Sequence, residues 1–179
     1  WEWAENIAQG EPPPALIECW FRGGGKSTTM ELISARIAVK GSRRFLLYVC
    51  STQEAADRHV TDIATTMERC GIERAMNRYG FSKGWNASKL RTANGFNVLA
   101  FGLDTGARGV KLDHLRPDFI ILDDIDELDD SVTRVDKKIA TITQTILPAK
   151  SNDCAIVFVQ NRIHANSVMS QVISGELDM

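Results

Sequence analysis

The chain has 179 residues, a length that suits one domain large enough for a central sheet covered on both faces. Hydrophobic residues at 44%, charged residues at 25% and a formal net charge of -2 are ordinary for a soluble globular protein, and they exclude nucleic-acid binding through overall charge. The sequence holds neither an apolar run near the roughly 18 residues of a membrane-spanning helix nor a signal-peptide pattern, so we expect no membrane partner.

The cysteines are widely scattered, and none of them forms a C-x-x-C pair. Three of the four lie in or beside apolar runs, which favours free, buried thiols in a reducing cytosol over disulfides or a zinc site. The four residues are Cys19, Cys50, Cys70 and Cys154.

The first part of the sequence alternates apolar runs with helical patterns. A lead-in segment, residues 1–13, ends in a proline run that stiffens the chain. Residues 15–21 are mostly apolar and predict a short buried strand, and apolar residues at helical spacing then predict a helix that ends near Lys40. Residues 44–50 predict a second strand, and the hydroxyl groups after it predict a helix that runs to about Arg69.

Residues 71–96 are rich in Arg, Lys, Asn, Gly and Ser, with aromatic residues interleaved. This composition predicts a surface insertion, with a small hairpin around residues 92–95. Basic residues among aromatic ones are candidates for contact with a DNA backbone, and a solvated surface is the alternative. The candidates are Arg74, Arg78, Lys83, Lys89 and Arg91.

The rest of the chain predicts three more strands and a helix. The strands cover residues 96–101, 117–124 and 154–159, and the helix covers residues 131–147 and stops before Pro148. Buried strands that alternate with helices indicate an α/β fold with a mostly parallel sheet and helices on both faces. We expect residues 1–179 to form a single domain.

A glycine-rich turn between the first strand and the first helix indicates a phosphate-binding loop. Consecutive glycines allow positive φ and turn backbone N–H groups towards an anion, while the next helix adds its positive dipole end. Lys26 would reach the β and γ phosphates of ATP, and the Ser27 hydroxyl would hold Mg²⁺. The first glycine of the usual G-x-x-x-x-G-K-[ST] pattern is replaced by Trp20. The predicted nucleotide-binding residues here are Gly23, Gly24, Gly25, Lys26, Ser27 and Thr28.

Two carboxylates end the apolar run of residues 117–124. Asp123 would hold Mg²⁺, and Asp124 would act as the base that orients the attacking water. Glu127 is a rival base, and a solvated turn before the next helix is the structural alternative. In open parallel sheets ligands bind outside the carboxyl ends of the strands, where all these predicted polar groups lie.

Further candidates follow the same rule. Arg22 would pair with the γ phosphate, and its alternative is a surface salt bridge. Arg108, between glycines, would be an arginine finger for a neighbouring subunit, while a DNA contact and a plain turn residue stay open. Gln160 and Asn161 would sense the γ phosphate, unless they only cap strand ends. The histidines His59 and His164 are expected on the surface.

These motifs together resemble the ATPase domain of the large terminase subunit of tailed bacteriophages. The resemblance covers about residues 16–170, and its motifs stand in the same order as in that family. They lie at residues 21–28, 48–56, 106–109 with 116–118, 121–124 and 159–164. The arginine within the phosphate loop and the replaced first glycine resemble features of terminases. At the position of Asp124, however, the family has Glu more often than Asp.

The resemblance implies a P-loop NTPase fold of the ASCE (RecA-like) type and Mg-dependent ATP hydrolysis coupled to translocation of double-stranded DNA into a procapsid. It also implies a homo-oligomeric ring on the portal protein, a small terminase subunit as partner, and work in the host cytoplasm at the procapsid portal. A C-terminal nuclease domain would complete such a protein, and none can be placed in these 179 residues. A helicase lobe and a non-catalytic nucleotide-binding scaffold are the alternatives.

Overall fold

The structure of the chain, a computed structural model, describes residue 3 and residues 13–105, 110 and 112–177. Seven strands form one sheet in this part of the chain, in the order β1-β7-β6-β2-β5-β4-β3. Neighbours among β1, β7, β6, β2 and β5 are parallel, and β4 and β3 extend the sheet antiparallel beyond β5. The strands are β1 (Leu16–Cys19), β2 (Phe45–Cys50), β3 (Trp85–Asn86), β4 (Lys89–Arg91), β5 (Asn97–Gly102), β6 (Phe119–Asp123) and β7 (Ala155–Gln160).

Within the described residues three helices connect strands and a fourth follows β7, and the ends of these helices follow local signals. Thr52, Ser131 and Ser167 each cap the helix that follows by accepting a backbone N–H with the side-chain hydroxyl. Gly41 and Gly175 take left-handed conformations directly after a helix, where glycine carries no steric cost. The helices are α1 (Lys26–Lys40), α2 (Gln53–Arg69), α3 (Val132–Thr141, continued by a π-helical stretch Ile142–Ile146 and a last turn Leu147–Ala149) and α4 (Val168–Ser174).

The hydrophobic core lies on both faces of the sheet. Successive residues of β2 alternate between the two faces: Leu46 and Tyr48 pack on the side of α1 and α2, and Leu47 and Val49 pack on the side of α3 and α4. All six residues of β2 are buried. A sheet covered on both faces needs apolar residues at every strand position, which explains why these strands read as continuous apolar runs.

The predicted fold class is confirmed, and most predicted elements are present. The prediction for residues 71–96 needs refinement because this segment adds β3 and β4 to the main sheet and buries Leu90 fully. The hairpin is present, with residues 92–95 joining β4 to β5. The helix predicted to stop before Pro148 was wrong at its end, since α3 widens to π-helical spacing and its last turn includes Pro148.

All four cysteines are free thiols, as expected. Cys50 and Cys154 are buried, and burial raises the pKa of the Cys154 thiol to about 12. The expectation of burial was wrong for Cys19, which lies exposed in β1, a strand at the sheet edge. Cys70, at the end of α2, is exposed too. No helix within the described part of the chain is long and apolar enough to cross a membrane.

The strand order places one strand, β7, between β1 and β6. Since the three strands are parallel, their carboxyl ends meet at one edge of the sheet. The glycine turn after β1, the carboxylates at the end of β6 and the amides at the end of β7 therefore lie side by side.

Candidate functional site

The glycine turn leads directly into α1, and a hydrogen bond from the N–H of Gly24 to the carbonyl of Phe21 closes it. Gly23 has φ of 83° and Gly25 has φ of 75°, so both take the left-handed conformation that only glycine adopts without strain. No side chain caps α1, whose N-cap position is Gly25. The first turn of a 15-residue helix therefore presents uncapped N–H groups and a positive dipole end, which suit a phosphate group.

Lys26 connects the glycine turn to the acidic end of β6. Its side chain is 10% exposed, and its Nζ lies 2.5 Å from Oδ2 of Asp124 and 3.9 Å from Oδ1 of Asp123. Two segments nearly one hundred residues apart in sequence are thus brought together as the strand-end rule predicts. The buried lysine and the two carboxylates form a cluster of opposite charges at this edge of the sheet.

Asp123 is fully buried and its two oxygens differ. The Tyr48 hydroxyl donates to Oδ2 at 2.7 Å, whereas Oδ1 is buried without a hydrogen-bond partner. Burial raises the pKa of Asp123, and the hydroxyls of Tyr48 and Ser27, together with the charge of Lys26, oppose that rise. An unpartnered carboxylate oxygen beside a serine hydroxyl fits Mg²⁺, a cation that takes oxygen ligands and offsets the cost of a buried charge.

Asp124 differs from Asp123 in backbone and exposure. Its φ is 47°, a left-handed value that is uncommon for a residue other than glycine, and its side chain is 49% exposed. Its N–H donates to the carbonyl of Val159, so the turn is anchored to β7. The strained backbone directs the carboxylate of Asp124 to Lys26 and to solvent at the mouth of a cleft.

This cleft, of about 680 Å³, opens beside the glycine turn. Arg22, Asp124, Glu127 and Asn161, which the sequence predicts to act at one site, line it together. Arg58 of α2 lines it as well, a residue that sequence reasoning missed. Among the described residues, neither Arg22 nor Arg58 has a hydrogen-bond or ion-pair partner, so both cations are available to an anion in the cleft.

The two amides at the end of β7 occupy different environments. Gln160 is fully buried, its Oε1 accepts the N–H of Asp126 at 3.2 Å and its Nε2 donates to the carbonyl of Asp126 at 3.4 Å. Asn161 lines the cleft, and its Oδ1 is buried without a hydrogen-bond partner. The structure therefore places Asn161 where a ligand could contact it, and it places Gln160 behind the acidic turn.

Asp126 is a residue whose role sequence reasoning missed. It is 4% exposed, and its carboxylate accepts the N–H of Val168 at 2.8 Å and the N–H of Met169 at 3.0 Å, at the start of α4. Burial raises the pKa of Asp126, and these two backbone hydrogen bonds lower it. Asp126 thus joins the acidic turn to α4, a contact between residues 42 positions apart that no local pattern indicates.

Glu127 keeps its place as the rival base because it also lines the cleft. Its backbone N–H donates to Asp130, whose buried carboxylate is also paired with Lys138 at 2.5 Å. The turn that carries Glu127 is therefore held by the protein at the edge of the cleft.

The expectation that His59 and His164 lie on the surface was wrong. His59 has a side chain that is 23% exposed, its Nδ1 lies 2.8 Å from Oε1 of Glu31, and its ring stacks on that of Tyr48. His164 is half-buried, and its Nε2 is buried without a partner. The contacts of His59 come from α1 and β2, which are distant in sequence, so spacing along α2 could not reveal them.

Two further predictions concern Arg108 and the segment of residues 71–96. Arg108 falls outside the described residues, so the arginine-finger hypothesis stays a prediction. In the segment of residues 71–96, Arg74 pairs with Glu68, and Arg91 pairs with Asp113. Two of the five candidate DNA contacts therefore already have acidic partners. Lys83 and Lys89 have no partner among the described residues.

Two solved structures share the architecture of this chain. The N-terminal domain of the DNA packaging ATPase from bacteriophage phi29 matches with a TM-score of 0.61 at 15% identity, over 92% of this chain and 81% of that one. The large terminase ATPase domain of Thermus phage P74-26 matches with a TM-score of 0.55 at 15% identity, over 88% of this chain and 63% of that one.

The chain thus spans less than two thirds of the length of the terminase structure. No protein-family model matches the sequence, and a search of curated proteins finds no match. The predicted resemblance is confirmed as a likeness of fold: the chain has the fold of these viral packaging ATPase domains.

Proposed function

We propose that this chain is the ATPase domain of a viral DNA-packaging motor, which hydrolyses ATP with Mg²⁺ and couples hydrolysis to translocation of double-stranded DNA into a procapsid. The observation that carries the proposal is the position of Lys26, in the first turn of an uncapped helix and within ion-pair distance of Asp123 and Asp124. The shared fold with two packaging ATPase domains supports the choice of motor class.

The glycine turn and the start of α1 bind the phosphates of ATP. The uncapped N–H groups at the start of α1 attract the phosphates, and the positive end of the helix dipole adds to this attraction. Lys26 contributes the one full positive charge in this group, and its side chain is already buried at the site, so little conformational freedom is lost on binding.

Ser27 and Asp123 would hold Mg²⁺, through the serine hydroxyl and the Oδ1 of Asp123, which has no hydrogen-bond partner. The metal would neutralise the charge that develops on the phosphates. Asp123 is suited to this role because the sheet fixes it at the end of β6 and leaves one of its oxygens free.

Phosphate binding by Lys26 frees Asp124 from its ion pair. The carboxylate of Asp124 then orients the attacking water and accepts its proton, with Glu127 as the alternative base in the same cleft. Arg22 pairs bidentately with the γ phosphate, and Asn161 contacts it from the end of β7. Gln160 does not reach the cleft itself but passes the change to the acidic turn through its hydrogen bonds to Asp126.

The remaining partners follow from the motor class. Arg108 would act as the finger of a neighbouring subunit in a homo-oligomeric ring on the portal protein, with a small terminase subunit that selects the DNA. Lys83 and Lys89 are the better candidates for DNA contact in the segment of residues 71–96, since Arg74 and Arg91 already pair with acids. Such a motor works in the host cytoplasm, at the procapsid portal.

Phosphate release from ATP in the presence of Mg²⁺ tests the proposal. We expect Lys26→Ala to lower the rate about 100-fold or more, because it removes a charge that stabilises the transition state. Lys137→Ala, which removes an exposed lysine of α3, is the matched control and should leave the rate unchanged. Equal rates for the wild type and Lys26→Ala, or no release by the wild type, would contradict the proposed function.

A further inference from the structure

Tyr48 lies in the middle of β2, and its side chain is fully buried between the sheet and helices α1 and α2. A buried phenol needs a hydrogen-bond partner, because a buried hydroxyl left unpaired lowers stability. The partner is Oδ2 of Asp123, at 2.7 Å. Burial beside this carboxylate raises the pKa of Tyr48 well above its usual value, so the hydroxyl stays protonated and acts as donor.

This hydrogen bond determines the orientation of the Asp123 carboxylate. The terminal torsion of an aspartate is broad, so the carboxylate group can rotate unless a contact holds it. Tyr48 occupies Oδ2 and leaves Oδ1 unpartnered, 3.9 Å from Nζ of Lys26. The oxygen available to a metal ion is thus the one on the side of the glycine turn.

Tyr48 is itself held by a contact with α2 and, through it, with α1. The ring of His59 stacks on the ring of Tyr48, with 5.3 Å between centroids and 29° between planes. His59 Nδ1 lies 2.8 Å from Oε1 of Glu31, whose side chain is 13% exposed. A chain of contacts therefore runs from Glu31 through His59 and Tyr48 to Asp123, and it joins both helices on one face of the sheet to the end of β6.

We propose that Tyr48 is a positioning residue of the metal site, which holds Asp123 so that one carboxylate oxygen faces the metal, and that His59 and Glu31 fix the ring of Tyr48. This inference rests on the proposed function. It adds residues of β2, α1 and α2 to a site that the sequence motifs confine to the glycine turn and β6. Groups that orient a metal ligand in this way are worth about 10–100-fold in metal affinity.

The test compares Tyr48→Phe with Tyr79→Phe, the same substitution at the second tyrosine of the chain, which is 67% exposed. The measurement is Mn²⁺ binding, followed by electron paramagnetic resonance, in the presence and absence of a non-hydrolysable ATP analogue. We expect Tyr48→Phe to weaken the nucleotide-dependent Mn²⁺ binding about tenfold, and Tyr79→Phe to leave it unchanged.

A second readout separates positioning from a general structural effect. Binding of the same analogue in EDTA does not involve Asp123 as a ligand, so Tyr48→Phe should leave that affinity unchanged. Glu31→Gln, which touches neither Tyr48 nor Asp123 directly, should weaken Mn²⁺ binding in the same direction but less. If Tyr48→Phe does not fold, the inference is judged on Glu31→Gln, and unchanged Mn²⁺ affinity there overturns it.

Failure of the inference can be told apart from failure of the proposed function. If the wild type binds Mn²⁺ only with the analogue and Tyr48→Phe binds it equally well, the positioning role of Tyr48 is wrong and the proposed function stands. If the wild type shows no nucleotide-dependent Mn²⁺ binding, the proposed function itself is contradicted, and the inference falls with it.

Discussion

The carboxylates in two neighbouring segments, at the end of β6 and in the turn after it, differ in their hydrogen bonding. In the front pair, Asp123 and Asp124, one carboxylate has a buried oxygen without a partner and the other is half exposed beside Lys26. In the clamp, formed by Asp126, Gln160 and the first turn of α4, both carboxylate oxygens of Asp126 accept backbone N–H groups. Both polar atoms of the Gln160 side-chain amide are also paired.

This difference distinguishes a carboxylate that stabilises the fold from carboxylates that are available to a ligand. Buried polar atoms in folded proteins are nearly always paired, so an unpaired one marks either a cost to stability or a place for a ligand. Asp123 and Asp126 are both buried with raised pKa values, and burial alone therefore does not separate them. Their hydrogen-bond partners do, because both carboxylate oxygens of Asp126 accept backbone N–H groups, whereas Oδ1 of Asp123 has no hydrogen-bond partner.

Among the substitutions that test this comparison, we expect the largest effect on activity at Asp123. We expect Asp123→Asn to lower ATP hydrolysis about 100-fold, because a neutral amide holds a metal ion poorly. The free energy of unfolding should not fall, since the amide oxygen can still accept from Tyr48 and a buried charge is removed. Phosphate release and chemical denaturation measure the two quantities, and a variant that is active or clearly destabilised would break the comparison.

The clamp should show the reverse pattern, with a smaller effect. We expect Asp126→Ala to lower the free energy of unfolding by about 1–3 kcal/mol, because the N–H groups of Val168 and Met169 lose their acceptor. Chemical denaturation measures the loss. Asp129→Ala is the control, since the Asp129 carboxylate is 83% exposed and its removal should change stability by less than about 0.5 kcal/mol. Equal stability of the two variants would show that the clamp carries no structural role.

The sequence predicted the front pair and missed the clamp for a physical reason. Asp123 and Asn161 lie at the ends of apolar runs, and Lys26 lies in the glycine turn after another such run. The carboxyl ends of parallel strands must meet at one edge, so local patterns were sufficient to bring these residues together. Asp126 contacts α4 and Tyr48 contacts Asp123 through hydrogen bonds that span 42 and 75 positions. Such pairings depend on strand order and on the side chains that fill the space between helices, which no local pattern encodes.

The same reasoning explains the outcome for the histidines and for residues 71–96. His59 was expected on the surface because no partner ligands stand at metal-binding spacing in the sequence, and only the packing of α2 against α1 brings Glu31 to its ring. The segment of residues 71–96 is polar enough to predict an insertion, and its hairpin was predicted from the turn residues. Its addition to the sheet edge comes from the antiparallel pairing of β4 with β5, in which the buried Leu90 lies opposite Val98.

The most direct test of the central claim is a crystal structure of this chain with Mg²⁺ and a non-hydrolysable ATP analogue. We expect the phosphates at the glycine turn, Lys26 moved from Asp124 to the β and γ phosphates, and Mg²⁺ beside Ser27 and Oδ1 of Asp123. The clamp should keep its present hydrogen bonds from Asp126 to Val168 and Met169. A nucleotide bound elsewhere, or an Mg²⁺ ion held by Asp126 in place of Asp123, would contradict the account.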